Sequence, residues 1–280
     1  MGLVEGKESM INHVSILGCG WYGSALAAYL LKQGFQVSGS ATSSEKVQSL
    51  QQDGINSFII RLDDDQQSLN VDSGFWDCDA LVIASNVKLA ANSSYLSAMR
   101  NVADLIKSKR IKKVILVSST SVYGDHNGVI DESTTCEPET TSGAVLLELE
   151  GLFQGIEGVQ STALRFGGLV GPGRLPGSFF AGKKEIANGS APVNLIHLED
   201  CLGVTALLLR QEIMPGKVNG VSPDHPTRAE FYTLAARKQH LEEPEFVNER
   251  LNWKIVQSSF LEEVGYEFRV NDWRSWLHSL

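Results

Sequence analysis

The chain has 280 residues, of which 42% are hydrophobic and 20% are charged, and its formal net charge is −9. These proportions are those of ordinary folded proteins, so they exclude intrinsic disorder and collagen-like structure. An acidic chain presents no broad phosphate-neutralising surface, so we expect no sequence-independent binding of nucleic acid.

The cysteines and the N-terminal segment indicate the compartment. Four cysteines lie far apart, at Cys19, Cys78, Cys136 and Cys201, and no Cys-x-x-Cys pair is present. This spacing favours reduced thiols in a cytoplasmic protein over a zinc site or a disulfide framework, and we expect no metal site. Residues 1–9 include acids and lack an apolar core, so we interpret them as a tail and not as a signal peptide. No stretch predicts a membrane span.

Short apolar runs alternate with amphipathic runs through about the first 170 residues. The apolar runs predict strands at 14–17, 35–39, 58–60, 80–84, 114–117 and 162–166. The amphipathic runs predict helices at 22–32, from the Thr42–Glu45 capping box to Gly54, at 93–109 and at 143–154. Because such strands are joined by helices, we expect right-handed crossovers and a parallel sheet with helices on both faces. Beyond residue 171 helices are predicted at 199–210 and after capping boxes at Thr227 and Ser259.

The segment 18–23 fits the pattern Gly-x-Gly-x-x-Gly, directly after the first predicted strand and at the start of the first predicted helix. In this context Gly18 permits a tight turn, Gly20 lets the backbone approach a pyrophosphate, and Gly23 allows helix and strand to pack closely. The helix N-terminus adds unpaired N–H groups and partial positive charge. The pattern predicts a dinucleotide site that includes Gly18, Gly20, Trp21, Tyr22 and Gly23.

The end of the second predicted strand indicates which dinucleotide binds. An NAD site places Asp or Glu about 20 residues after the glycine turn, where it bonds the ribose 2′-hydroxyl, but no acid occurs here before Glu45. The hydroxyls of Ser40, Thr42 and Ser43 suit a 2′-phosphate instead, with Lys46 nearby, although the arginine typical of NADP sites is missing. The sequence favours NADP, with NAD as the alternative.

Three further residues complete the predicted cofactor site. Ala84 ends the fourth predicted strand and Ser85 follows it, and the carboxyl end of this strand lies at the same edge as the glycine turn. Asp63 follows the third strand and has two interpretations: a contact with the adenine, or membership of the solvated acidic turn 63–65.

The segment 117–124, Val-Ser-Ser-Thr-Ser-Val-Tyr-Gly, resembles the extended short-chain dehydrogenases, the NAD-dependent epimerase/dehydratase family. The glycine turn, Asn101-Val102 and the segments 164–173 and 196–200 agree with that family in the same order. The resemblance covers about residues 12–275. It implies a Rossmann fold, a nicotinamide cofactor, a small and nucleotide-sugar-like substrate, and a Ser or Thr that bonds the reacting oxygen. That role falls on Ser119, with Thr120 as the neighbouring candidate.

The chain departs from the family at its catalytic Tyr-x-x-x-Lys pair. The resemblance places Ser142 at the tyrosine position and Leu146 at the lysine position, and the chain has no such pair elsewhere. In the family the tyrosine is the general acid/base and the lysine lowers its pKa, so the usual alcohol–ketone chemistry is unsupported here. This departure is similar to the atypical, YeeZ-like branch of the family. His126 is the candidate replacement acid/base, with a solvated loop histidine as the alternative.

Two functions follow from this pattern. One is an oxidoreductase or epimerase-type enzyme with a non-standard acid/base, and the other is a catalytically inactive NADP-binding sensor. Arg165 and Arg174 flank a second glycine-rich turn and are candidate phosphate ligands, with a structural ion pair as the alternative for Arg165. We interpret His197 and Asp200 as structural residues at a helix start.

The predicted fold is an α/β, Rossmann-type doubly wound parallel sheet with a small, mostly helical C-terminal substrate region. We divide the chain into the tail 1–9, a dinucleotide-binding domain at 10–171, and a substrate-binding region at 172–280 that returns elements to the first domain. The expected partner is a small molecule, with neither nucleic acid nor a membrane, and the sequence indicates no oligomeric state.

Overall fold

A parallel sheet of seven strands organises this computed structural model, which describes residues 11–62, 69–85 and 93–280. In chain order the strands are β1 (His13–Leu17), β2 (Gln36–Ala41), β3 (Asn56–Ile59), β4 (Ala80–Ile83), β5 (Lys113–Ser119), β6 (Gly128–Ile130), β7 (Gln160–Phe166), β8 (Gly168–Val170), β9 (Leu195–His197), β10 (Lys217–Gly220) and β11 (Lys254–Val256). The helices are α1 (Trp21–Lys32), α2 (Ser44–Gln52), α3 (Ser93–Lys109), α4 (Thr141–Gln154), α5 (Leu198–Arg210), α6 (Arg228–Lys238), α7 (Ser259–Glu263) and α8 (Trp273–His278).

The strand order in the sheet is β10-β7-β5-β4-β1-β2-β3, and every pairing is parallel. The order in which successive strands are added to the sheet reverses between β1 and β4. At such a point doubly wound sheets have a crevice at the carboxyl ends of the strands. One face packs against α1, α2 and α5, and the other packs against α3 and α4. The predicted α/β doubly wound fold is therefore confirmed.

The C-terminal third adds a smaller helical layer and one strand of the main sheet. A separate apolar cluster joins α6 and α8 around Phe231 and Trp273. The strand β10 pairs with β7, so residues beyond 171 do complete the central sheet. Within the described residues no helix is long and apolar enough to cross a membrane.

Several boundaries differ from the sequence predictions for identifiable reasons. The cap of α2 is Ser43, one residue later than expected, because its hydroxyl and not that of Thr42 accepts the Lys46 amide hydrogen. The cap of α7 is likewise Ser258 and not Ser259, whereas the predicted capping box at Thr227 is present. The three-residue pairs β6–β11 and β8–β9 were not predicted, because such short strands show no periodicity and depend on partners distant in sequence.

Candidate functional site

The glycine turn connects β1 to α1 at the carboxyl edge of the sheet. Gly18 has a φ of +104°, and a Cβ there would lie 3.0 Å from the Ser85 amide nitrogen. A Cβ on Gly23 would overlap the Gly18 carbonyl oxygen, so this close approach of helix and turn requires glycine. A Cβ on Gly20 would meet nothing within 4 Å. The three glycines therefore have the geometry expected of a turn that approaches a bound group at Gly20.

A cavity of about 480 Å³ lies above this turn. Its walls come from the ends of β1, β2 and β4, from the glycine turn, from the first turn of α2 and from the segment after β3. The lining residues are Leu17, Gly18, Cys19, Gly20, Ser40, Ala41, Thr42, Lys46, Ile60, Leu62, Ala84 and Ser85. The structure thus brings six predicted residues together, namely Gly18, Gly20, Ser40, Thr42, Ala84 and Ser85. The apolar wall residues Ile60 and Leu62 were missed, since a hydrophobic side chain in a loop or strand carries no binding signature in the sequence.

Ser40 holds the glycine turn against β2. Its hydroxyl accepts a hydrogen bond from the Gly18 amide at 2.9 Å, and its carbonyl accepts one from the Cys19 amide at 2.7 Å. Ser40 is buried, whereas Thr42 is exposed and Lys46 is half-buried at the rim of the cavity. Among the lining residues that the structure describes, none is a carboxylate. An anion at this rim would therefore meet the hydroxyl of Thr42 and the ammonium group of Lys46.

The N-terminus of α1 also faces this edge without a competing group. Gly20 occupies the cap position and supplies no side-chain cap, and the first turn contains no acidic residue. Unpaired N–H groups at a helix start attract phosphate oxygens. The cavity thus combines the features that a dinucleotide requires: apolar walls, an open glycine and a helix N-terminus.

Four predicted cofactor residues that the structure describes lie outside the cavity wall: Gly23, which packs against the turn, and Trp21, Tyr22 and Ser43. The Tyr22 side chain is buried, its hydroxyl lies 2.6 Å from that of Thr205, and burial raises its pKa. Ser43 is occupied in capping α2, and Trp21 turns its indole toward Pro172. Their side chains therefore support neighbouring elements, while Trp21 and Tyr22 retain backbone positions in the first turn of α1. Asp63 lies outside the described residues.

Two neighbouring side chains are explained by packing. Cys19 lies beneath the cavity, where a Cβ on Gly39 would lie 2.8 Å from its sulfur. Burial raises the pKa of the Cys19 thiol to about 11, so this residue is not a thiolate nucleophile near neutral pH. Ser85 places its hydroxyl 2.8 Å from that of the buried Tyr95 on α3.

The predicted catalytic residues are placed at the end of β5 and in the loop after it. The Ser119 hydroxyl accepts a hydrogen bond from the Ser121 amide at 3.1 Å, and Thr120 is buried. His126 is exposed. Ser142 is exposed at the start of α4, where its hydroxyl lies 3.3 Å from that of Thr140. Among the described contacts, neither His126 nor Ser142 hydrogen-bonds to Ser119.

Leu146, which the resemblance places at the lysine position, lies on α4 and is only 2% exposed. It belongs to an apolar cluster with Val122, Tyr123, Ile130 and Val221. A charged amine at this position would lose its water, which is unfavourable without a partner. The local packing is therefore suited to leucine.

Arg165 is a structural residue and not a phosphate ligand, which settles the alternative left by the sequence. It is 1% exposed, and its Nε and Nη2 donate to the Glu150 carboxylate, with Nη2 and Oε2 separated by 2.5 Å. Its Nη1 donates to the Tyr123 hydroxyl, which donates in turn to Asn219. Glu150 was missed because a lone glutamate on a predicted helix is usually solvated; only its partner identifies it.

His197 and Asp200 serve the start of α5. The His197 Nδ1 accepts a hydrogen bond from the Glu199 amide at 3.3 Å. The buried Asp200 carboxylate accepts hydrogen bonds from the amides of Arg269 and Val270, at 2.7 and 3.1 Å. Both residues therefore have structural roles, as their positions at a helix start indicated.

Comparisons with known proteins agree with this fold. The model of the NAD dependent epimerase/dehydratase family matches residues 14–211 of this chain. The chain belongs to this family. This family member is 39% identical over 265 residues to Protein YeeZ of Escherichia coli strain K12, an alignment that covers 92% of this chain and 96% of YeeZ. The resemblance inferred from the sequence is thereby confirmed.

Solved structures share the architecture at low sequence identity. MoeE5 in complex with UDP-glucose and NAD superimposes with a TM-score of 0.75 and 18% identity, covering 95% of this chain and 96% of MoeE5. The human epimerase family protein SDR39U1 with NADPH gives a TM-score of 0.72 and 17% identity, covering 95% of this chain and 98% of the SDR39U1 chain. At these identities the likeness shows the fold alone.

Proposed function

We propose that this family member binds NADP in the cavity above the glycine turn. The observation that carries the proposal is the composition of the cavity wall, which joins the open Gly20 and the uncapped start of α1 to Thr42 and Lys46 and, within the described residues, contains no carboxylate. Family membership and the NAD and NADPH named with its structural neighbours support a nicotinamide dinucleotide. The choice of NADP rests on the residues of this chain.

The 2′-phosphate distinguishes the two cofactors. An NAD site holds the ribose 2′-hydroxyl with a carboxylate, which would repel a phosphate. Here the equivalent rim offers the exposed Thr42 and the Lys46 ammonium group, so a 2′-phosphate is attracted. Since no arginine fork is present, we expect a modest preference for NADP, about tenfold or ~1.4 kcal/mol.

Calorimetric titration of NADP and NAD tests this proposal. Gly20→Val should abolish binding of both, because its side chain would project into the open cavity while the fold has room for it. Gly151→Val is the matched control, since a Cβ at that helical glycine also meets nothing within 4 Å. Lys46→Gln should weaken NADP binding and leave NAD binding unchanged. Tighter binding of NAD than of NADP, or unchanged binding by Gly20→Val, would contradict the proposal.

We further propose that the bound dinucleotide serves an oxidoreductase or epimerase-type reaction on a small, nucleotide-sugar-like substrate. Ser119 ends β5 at the same sheet edge as the cavity, and its hydroxyl hydrogen is available to a substrate oxygen. MoeE5, which shares the fold, is described with UDP-glucose. Nicotinamide cofactors transfer hydride, and Ser119 would hold the oxygen at which a proton is exchanged.

A second candidate function is a sensor that binds NADP without turnover. It is favoured by the exposed Ser142 and the buried Leu146, which leave this edge of α4 without the acid/base pair. Incubation with NADP(H) and UDP-glucose, followed by chromatography, separates the candidates. Turnover lost in Ser119→Ala supports the enzyme, and NADP binding with no turnover supports the sensor. Turnover that survives Ser119→Ala and His126→Ala together would place the chemistry on other residues.

We propose a cytoplasmic location for this protein, supported by four cysteines that are all unpaired. The division at residue 171 into a dinucleotide-binding domain and a substrate-binding region is likewise proposed. It is supported by the separate apolar cluster of α6 and α8.

A further inference from the structure

The turn Gly171–Arg174 lies against the first residue of α1. The Arg174 amide donates to the Gly171 carbonyl at 2.9 Å and closes the turn, in which Gly173 has a φ of +74°. The Trp21 indole nitrogen donates to the Pro172 carbonyl at 2.8 Å. This contact joins two segments 151 positions apart in sequence and fixes the turn beside the glycine motif.

The Arg174 side chain is held in place but keeps free donors. Its Nε donates to the Leu169 carbonyl at 2.8 Å, and its Cζ lies 5.7 Å from the centroid of the Trp21 ring. Among the described contacts, its two terminal nitrogens make no hydrogen bond and no ion pair, and the side chain is exposed. Arg165, the other candidate, has its guanidinium committed to Glu150 and Tyr123. Arg174 is therefore a preoriented cation beside the uncapped helix N-terminus.

The order of the strands indicates which part of a dinucleotide Arg174 approaches. Thr42 and Lys46 follow β2, on one side of β1, whereas β4, β5 and β7 lie on the other side. The last residue of β7, Phe166, pairs with Ser119, and the chain continues from there through β8 to Arg174, which lies over Trp21 at the start of α1. A dinucleotide with its 2′-phosphate at Lys46 would cross the glycine turn, and its nicotinamide half would then lie on the side of Arg174.

We propose that Arg174 binds the phosphate on the nicotinamide side of the bound dinucleotide, with Trp21 as the support that orients its guanidinium. The proposal rests on the dinucleotide site proposed above and adds a second cation to it. Lys46 holds the adenosine end and Arg174 holds the nicotinamide end. An arginine with two free donors forms charge-assisted bonds to phosphate oxygens.

Titrations with NADP and with adenosine 2′,5′-bisphosphate, which lacks the nicotinamide-side phosphate, test the assignment. Arg174→Met should weaken NADP binding by about tenfold to a hundredfold and leave adenosine 2′,5′-bisphosphate binding unchanged. Arg174→Lys should restore part of the NADP affinity. Lys46→Gln should weaken the binding of both ligands. Arg210→Met is the matched control, because Arg210 also lies over an aromatic ring, that of Phe35, with its Nη2 bonded to Gln33.

The outcomes distinguish this inference from the dinucleotide proposal itself. Wild-type protein that binds neither ligand would overturn both proposals. Wild-type protein that binds NADP with an affinity unchanged in Arg174→Met would overturn the role of Arg174 alone. If Arg174→Met weakened the binding of both ligands equally, the effect would be a general structural one, and the role of Arg174 would be overturned as well. Loss of UDP-glucose binding with NADP affinity intact would assign Arg174 to a substrate phosphate instead.

Discussion

At residue scale, Leu146 on α4 is a packing residue. The resemblance places it where the family carries lysine, and it is buried against Val122, Tyr123 and Val221. The exposed Ser142 lies one helical turn earlier. The loss of the Tyr-x-x-x-Lys pair is therefore accompanied by an apolar contact in place of the lysine, and restoring the family residues would disturb the packing.

We expect Leu146→Lys to lower the free energy of unfolding by about 2–5 kcal/mol, because it removes a buried aliphatic side chain and introduces an unpaired charge. Leu146→Met, which conserves volume, should cost less than about 1.5 kcal/mol. Urea unfolding monitored by circular dichroism measures both. An unchanged midpoint for Leu146→Lys would contradict the assigned burial, because it would show that an amine at this position reaches water.

The glutamates of α4 offer a comparison between a buried and an exposed ion pair. Glu150 forms an ion pair with the buried Arg165. Glu148 forms one with Arg100, and here the Glu148 side chain is 50% exposed and that of Arg100 is 62% exposed. Glu150→Ala leaves a guanidinium buried without its carboxylate and should cost about 3–5 kcal/mol. Glu148→Ala should cost less than about 1 kcal/mol. Chemical denaturation of the two variants checks this, and equal costs would contradict the assigned burial.

At the scale of elements, helix α5 holds the C-terminal segment through one carboxylate. Asp200 accepts hydrogen bonds from the amides of Arg269 and Val270, and the Tyr266 hydroxyl lies 3.3 Å from it. The segment that leads to α8 is thus attached to the main domain by hydrogen bonds from its backbone amides to the Asp200 carboxylate. The sequence predicts the helix start, but it does not reveal what the carboxylate binds.

Asp200→Ala should leave those amides without an acceptor and lower the free energy of unfolding by about 2–5 kcal/mol. Hydrogen exchange by mass spectrometry should show faster exchange in the peptide that contains residues 266–273. The control is Glu199→Ala, which removes an exposed acid from the same helical turn and should cost at most about 1 kcal/mol. Unchanged protection of residues 266–273 in Asp200→Ala would refute the proposed attachment.

For the whole molecule, buried histidines make stability depend on pH. Burial lowers the pKa of His197 and of His225, although nearby carboxylates oppose this shift at both residues. A lowered pKa means that the folded state binds the proton less readily than the unfolded state. The stability that comes from keeping these histidines neutral is therefore fully present above their unfolded-state pKa of about 6.5. It is lost as the pH falls below that pKa.

We expect the melting temperature to fall between about pH 7.5 and pH 5.5, and His197→Asn to reduce this fall, since asparagine also caps helices without titrating. His126→Asn, the same substitution at an exposed loop position, is the control variant. Differential scanning fluorimetry across this range provides the measurement. An equal fall in wild type and His197→Asn would assign the dependence to other groups.

The sequence by itself determined the family, the parallel sheet and the glycine turn. These features depend on local constraints: Gly18 and Gly23 are required by backbone geometry within a few residues, and the alternation of apolar and amphipathic runs fixes the order of strands and helices. The absence of a Tyr-x-x-x-Lys pair can be read from the sequence, and it is the resemblance to the family that gives this absence its meaning.

Only the tertiary structure decided what the polar side chains bind. Arg165 and Arg174 are both candidate phosphate ligands in the sequence, which leaves open a structural ion pair for Arg165, yet Arg165 is buried against Glu150 and Arg174 lies exposed on Trp21. Ser40 bonds the glycine turn, while Lys46 reaches the cavity rim. The physical reason is that burial and charge pairing depend on partners far apart in the chain, and these partners meet only when the strands assemble into the sheet.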